Sequence, residues 1–379
     1  MESADNRARV PLTPQSSEAP AGNNGTITPS VLRSVLSPLF VIAESYPDAE
    51  ELVVNRPGEA IVERAGGSWE TVMAAGLTFN ALQAMALALA KSTSQTFSER
   101  VPVLFGTLPT GERLTFVGPP AVAPGTISLT MRLVKNTARD MSAYIGTDFF
   151  DRYLWLQEEP SSSSATAALD MVNGEQQTLV RLLLQRRLRD FLIEAVRKRL
   201  TLGILGDTGS GKTFLMECLI QEIPAQERLI TIESARELQL PRHRNKVQML
   251  YSHFGTGATS LDASSLMAVT KRMKPKRVLL GECIGPEAFV FLNMVLAGHA
   301  GSITSWHAKS IHVARDRFVL MCREHPDAKL HTPPDLADLF DLSMDAMLYI
   351  AVEEPPDADD LKQKHRYISD VWFNPFRGR

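Results

Sequence analysis

Apolar residues recur along this chain in two rhythms, and the change between them falls near the middle. In the first half, FNALQAMALALAKS (79–92) has helical spacing, with Thr78 as its N-cap. VLRSVLSPLFVIAE (31–44) has the same spacing, with Pro38 bending or ending it. ELVVNRPGEAIVER (51–64) predicts two short strands around a Pro-Gly turn. VPVLFG, RLTFVG and TISLTMRLVK are strand-like, and PTGE turns the first into the second. Strands and helices do not alternate regularly here, so residues 29–157 are expected to form an α+β domain with an antiparallel sheet.

In the second half, QQTLVRLLLQRRLRDFLIEAVRKRL (176–200) predicts one long amphipathic helix. Four short apolar runs follow, LTLGILG, RLITIES, RVLLGE and GSITSWH, each passing into glycine or polar residues and separated by helical segments. Buried parallel strands with crossovers have this pattern, so 176–379 is expected to be an α/β domain with a mostly parallel sheet. Residues 1–28 are polar and rich in Ser, Pro and Asn, as disordered segments are. The serine run within EEPSSSSATAALD marks 158–175 as a linker.

Bulk properties narrow the classes of function. A chain of 379 residues has room for two domains, and 44% hydrophobic residues suits a folded protein. A net charge of −3 gives no general pull toward nucleic acid, so no dedicated nucleic-acid binding is predicted. The three cysteines, Cys218, Cys283 and Cys322, show no metal or redox spacing and fit a reducing compartment. With no signal-like or membrane-spanning apolar run, a cytoplasmic chain is expected. Basic residues crowd 181–200 and TKRMKPKR (270–277). A solvated face or surface loop is the simpler reading, against contact with lipid, nucleotide or a partner.

The strongest chemical signal is GDTGSGKT (206–213), which fits the phosphate-loop template G-x-x-x-x-G-K-[ST] completely. A strand-like run leads in, and a helical run stopped by Pro224 leads out. Gly206, Gly209 and Gly211 allow the tight backbone that brings N–H groups of the loop, including those of Asp207, Thr208 and Ser210, near an anion. The helix that follows aims its positive end at the same place. Lys212 would neutralise the outer phosphates, and the Thr213 hydroxyl would ligate Mg²⁺.

Ligands of parallel sheets gather at the carboxyl ends of strands. The apolar runs end at Glu233, Glu282 and His307, which share one sheet edge with the phosphate loop if their strands are parallel neighbours. Glu282 is the candidate to hold Mg²⁺ through water, or to orient and deprotonate the attacking water; its alternative is an ion pair with a base such as Lys276. Glu233 and Glu237 stand at helical i, i+4 spacing in ESARELQL, so one of them can simply be solvated. His307, after Ser302, Thr304 and Ser305, is the candidate γ-phosphate sensor; packing is its alternative, and His299 is a weaker candidate.

Taken in order, GDTGSGKT, ITIESARELQLP, RMKPKRVLLGE and GHAGSITSWHA resemble the motif series of the secretion traffic ATPases. The chain is most similar to the hexameric ATPases of bacterial type IV secretion systems, and the resemblance runs from about residue 30 to VWFNP near the end. It implies a recombinase-like phosphate-loop ATPase domain behind a smaller α+β domain. It implies ATP and Mg²⁺ at the domain junction, a homo-hexamer, other secretion subunits as partners and a peripheral place on the inner membrane. By the same resemblance Glu233 belongs to an acidic box, Glu282 is the Walker B glutamate, His307 closes a histidine box, and Arg132 points from the first domain to the nucleotide. Ser234, Lys276 and Ile284 depart from the usual Asp, Asp and Arg; the departures at Ser234 and Ile284 bear on turnover more than on binding. Alternatives are a type II secretion or type IV pilus ATPase, disfavoured by the absence of CxxC and by Ile284, and an assembly factor that binds ATP with little turnover. A small-molecule kinase has no use for the first domain, and NKVQ (245–248) lacks the aspartate of a guanine-reading motif.

Overall fold

The computed structural model describes residues 27–64, 67–134, 139–156, 174–234, 236–251, 261–353, 364–373 and 375. The segment 1–28, apart from its last two residues, and the linker 158–175, apart from its last two, lie outside the described residues.

Two sheets carry the chain. The first has β1 (Ala49–Val54), β2 (Gly58–Arg64), β3 (Trp69–Ala74), β4 (Val103–Thr107), β5 (Arg113–Val117) and β6 (Ser128–Arg132). Every pairing is antiparallel, in the order β3-β2-β1-β6-β5-β4. Its apolar face, with Leu52, Val54, Leu114, Phe116, Leu129 and Met131, is covered by α1 (Pro29–Val35), α2 (Ser37–Glu44) and α3 (Phe79–Ser92). Pro38 does interrupt the first helical run: α2 starts at Ser37 with the proline in its first turn, where its missing N–H costs nothing. Thr78 caps α3 by accepting from the Ala81 N–H at 3.2 Å.

The second sheet holds β7 (Leu154–Leu156), β8 (Leu202–Gly206), β9 (Leu229–Glu233), β10 (Lys246–Leu250), β11 (Arg277–Leu280), β12 (Ile303–Trp306), β13 (Ala346–Glu353) and β14 (His365–Phe373). Their order is β10-β9-β11-β12-β8-β13-β14-β7, and only the β13–β14 pairing is antiparallel. One face packs on α4 (Gly174–Leu184), α5 (Leu188–Arg197) and α6 (Lys212–Ile220). The other packs on α7 (Ala263–Thr270), α8 (Glu287–Leu296), α9 (Ala314–Cys322) and α10 (Pro333–Ser343). Alternation along β13 shows the division: Ala346, Leu348 and Ile350 enter the first core and Met347 the second. Residues Met141, Phe149, Phe150 and Tyr153, though before position 157, pack in the first of these cores, and β7 joins this sheet.

Two expectations need correction. The run 176–200 is two helices, because Arg186 takes a left-handed φ of 58°. Its guanidinium donates to the Tyr153 carbonyl at 2.7 Å and lies over that ring, which holds the break. The TKRMKPKR cluster is not wholly surface: Arg277 is fully buried, with bonds to both Glu227 oxygens at 2.7 and 3.2 Å and to the Val196 carbonyl at 2.6 Å. The basic residues of 181–200 are largely engaged within the chain, Arg187 with Asp190, Arg197 with Glu222 and Arg199 with the Lys276 and Ala300 carbonyls. Among the described residues no helix is long and apolar enough to cross a membrane.

Candidate functional site

β9, β11, β12 and β8 are parallel neighbours, so their carboxyl ends form one edge. Along that edge lies a cleft of about 620 Å³, a size that suits a small ligand. Thr208, Gly209, Ser210, Gly211, Lys212, Thr213, Glu233, Glu282 and His307 line it from this sheet, and Arg132 lines it from the other. Gly206 and Asp207 sit beneath it: their carbonyls accept from Lys212 Nζ at 3.1 and 2.9 Å. His299 lies before β12, at the opposite edge, with its carbonyl accepting from Ser302 at 2.8 Å.

The loop takes its shape from glycine at two positions. A Cβ on Gly206, where φ is 148°, would lie 2.8 Å from the Ile350 carbonyl oxygen. Gly211, with φ 97°, is the left-handed residue that opens α6, which makes Lys212 the first helical residue. Lys212 is 8% exposed, and burial draws its pKa down while Glu282 and Asp207 oppose this.

Lys212, His307 and Glu282 form one hydrogen-bonded chain. Lys212 Nζ is 3.3 Å from His307 Nδ1, and His307 Nε2 is 3.0 Å from Glu282 Oε1. An ammonium has donors only, so Nδ1 accepts and the ring proton sits on Nε2, facing the carboxylate. The partner of Glu282 is thus His307 rather than Lys276. Thr213 Oγ1 donates to Glu237 Oε2 at 3.3 Å, and Arg113 binds the other oxygen of Glu237. A hydroxyl and carboxylates are the hard oxygen donors that suit Mg²⁺, so the residues present fit that ion.

Glu233 lines the cleft and also holds the chain beside it. Its carboxylate accepts from the Glu237 and Leu238 N–H groups at 2.9 and 2.8 Å and from Thr231 at 2.8 Å. It ties down the chain that presents Glu237 to Thr213. Residues 236–240 are not helical, so the i, i+4 spacing there does not put two acids on a helix face. Burial pushes the Glu233 carboxyl up to about 7, against these hydrogen bonds. The folded state therefore binds its proton more tightly than the unfolded chain. The stabilisation is complete below about pH 4.5 and is lost as pH rises through about 7. Glu233→Gln keeps an acceptor and cannot titrate, so its melting temperature is expected to fall less than wild type between about pH 5 and 8. Parallel melting curves for the two proteins would count against this.

Several cleft residues escaped the sequence reading. Arg113 is one: it is the direct partner, across β5 and β6, of Arg132, which the sequence reading named. Like charges so placed repel, and an anion in the cleft relieves the repulsion. Burial and Arg132 pull the Arg113 guanidinium down to about 10. Tyr144 stacks on Phe149 with centroids 4.2 Å apart and meets Phe214 edge-on at 5.3 Å, giving the cleft an aromatic wall. Arg139 lies over Phe214 at 4.6 Å and pairs with buried Glu217 at 3.4 Å. Arg366 donates from Nε to the Gly209 carbonyl at 3.0 Å. A pair of arginines facing each other across strands was the one signal that could have been read from sequence, had the register been known.

This arrangement can be set beside known proteins. A family profile described as Type II/IV secretion system protein matches residues 160–332. The chain is 36% identical over 333 residues to the type IV secretion system protein VirB11 of Brucella suis biovar 1, covering 87% of this chain and 86% of that one. It is 35% identical over 336 residues to the type IV secretion system protein PtlH of Bordetella pertussis, covering 87% and 91%. Its fold is similar to that of the pilus retraction motor PilT, solved with bound ADP, with a TM-score of 0.54, 13% identity and coverage of 89% and 82%. Identity at this level along 87% of the sequence reaches well beyond the phosphate loop, and the chain belongs to the VirB11 family of type IV secretion system proteins.

Proposed function

We propose that this chain hydrolyses ATP as the ring-forming motor of a type IV secretion system. The observation that carries the reading is the bonded chain Lys212–His307–Glu282 beside a phosphate loop and beneath the arginines of the other sheet. The names of the relatives support the secretion assignment.

In this reading Lys212 exchanges the loop carbonyls for the β- and γ-phosphates of ATP. Thr213, and Glu282 through water, would hold Mg²⁺, which would supply charge neutralisation at the phosphate oxygens. Glu282 orients a water and takes its proton as the oxygen attacks the γ-phosphorus and ADP departs. Arg132 and Arg113 stabilise negative charge on the phosphoryl group in transfer. His307 touches both Lys212 and Glu282, so it registers whether the γ-phosphate is present. Tyr144, Phe149 and Phe214 offer a wall for the base.

The two sheets belong to two domains in this reading, with the nucleotide at their junction. The γ-phosphate draws the arginines of one toward Lys212 of the other, and its release loosens them. Six copies in a ring turn these movements into work on pilus subunits or exported substrate. The ring works beside other secretion subunits on the cytoplasmic face of the bacterial inner membrane. Ser234 lines the cleft beside Glu233, so its replacement of the usual aspartate bears on the rate of hydrolysis.

Lys212→Ala removes the charge that meets the outer phosphates. Its affinity for ATP is expected to fall at least about a hundredfold by calorimetry, without loss of fold. Binding within about twofold of wild type would remove the ATP reading.

A further inference from the structure

Arg366 belongs to none of the motifs, yet its surroundings single it out. It is the second residue of β14 and pairs with Val352 in β13. β13 runs beside β8 as far as Ile350, which pairs with Gly206. Arg366 therefore stands about two residues past the point where β8 gives way to the phosphate loop. Its Nε–H donates to the Gly209 carbonyl at 3.0 Å, and its Cδ would lie 3.8 Å from a Cβ on Gly211. The side chain thus runs along the loop, and Arg366 is one of the residues lining the cleft.

Its backbone is held from both sides. His365 contacts Asp148 through Nε2 at 2.8 Å and Glu353 through Nδ1 at 3.2 Å. The Tyr367 hydroxyl donates to Glu353 at 2.9 Å, and the Ile368 N–H to the Phe149 carbonyl at 2.8 Å. Arg366 is delivered to the loop from a fixed base.

The Gly209 carbonyl and the Ser210 N–H belong to one planar peptide and point opposite ways. A guanidinium that holds the carbonyl on the outer side turns the N–H into the loop, where it now faces the Asp207 carbonyl at 3.2 Å. We propose that Arg366 is a positioning residue of the nucleotide site, fixing the Gly209–Ser210 peptide in the attitude that receives a polyphosphate. The inference rests on the reading of the cleft as an ATP site. Arg366 grips the loop away from Glu282 and His307, so it acts on the binding of ATP and ADP alike and not on cleavage of the γ-phosphate.

The test measures ATP and ADP affinity, KM and kcat for the full chain carrying Arg366→Gln, Arg366→Lys or Lys212→Ala. Arg366→Gln is expected to weaken ATP and ADP about tenfold each, to raise KM in proportion and to leave kcat within about twofold. Arg366→Lys keeps a donor and a charge, and it is expected to recover most of that loss. Should the glutamine variant not fold, Arg366→Met, which also lacks the guanidinium, reads the same split between KM and kcat. Unchanged affinity, or a fall in kcat with KM untouched, overturns the assignment. If Lys212→Ala loses ATP while Arg366→Gln does not, only the role of Arg366 falls. If Lys212→Ala also binds ATP like wild type, the reading of the cleft falls with it.

Discussion

Glu282→Gln is expected to lower the rate of ATP hydrolysis at least about a hundredfold, the size of effect a positioned general base supplies, while ATP stays bound. The reason lies in what glutamine keeps. Its amide oxygen can still accept from His307 Nε2, now 3.0 Å from the carboxylate, so the chain back to Lys212 survives. What is lost is the negative charge, and with it the basicity that takes a proton from water. Phosphate release reports turnover, calorimetry reports ATP binding, and light scattering with ATP reports the ring. Turnover at the wild-type rate would remove Glu282 from the chemistry. Loss of ATP binding would show that its charge holds the site together instead.

The second large effect concerns stability, at Arg277. Its guanidinium is fully buried and joins Glu227, before β9, to the Val196 carbonyl in the last turn of α5. Truncating one partner of a buried ion pair strands the other charge, so Arg277→Ala is expected to lose about 3–5 kcal/mol in urea denaturation. Arg277→Met with Glu227→Leu removes both charges and is expected to recover most of that loss. A loss under about 1 kcal/mol for Arg277→Ala would mean that solvent reaches the pair.

The difference between these two sites explains how legible the protein was. GDTGSGKT could be read at once because its function is local: eight consecutive residues build the loop, and each type has a reason to be there. Glu282 and His307 were legible one step further, since both end short apolar runs and parallel strands bring such ends together. Arg277 could not be read, because its burial depends on α5 and on the turn before β9, both distant in sequence. Glu233 was placed at the right edge, where it lines the cleft, but the bonds it accepts from the Glu237 and Leu238 N–H groups could not be read, because they depend on how the chain after β9 folds back. Arg366 was missed for a topological reason. β14 is antiparallel to its neighbour β13, so its beginning, not its end, meets the site.

Sequence by itself determined the elements whose causes are short-ranged. These are the capped helix after Thr78, the antiparallel first sheet, the parallel runs of the second, and the phosphate loop with its lysine. Tertiary structure decided which strands neighbour one another, that Arg113 and Arg132 face the loop across two sheets, and that Lys212, His307 and Glu282 bond in series. Local pattern fixes a residue's backbone state through sterics and side-chain spacing. Which groups from far along the chain meet depends on how whole layers bury their apolar faces, and no single stretch carries that information.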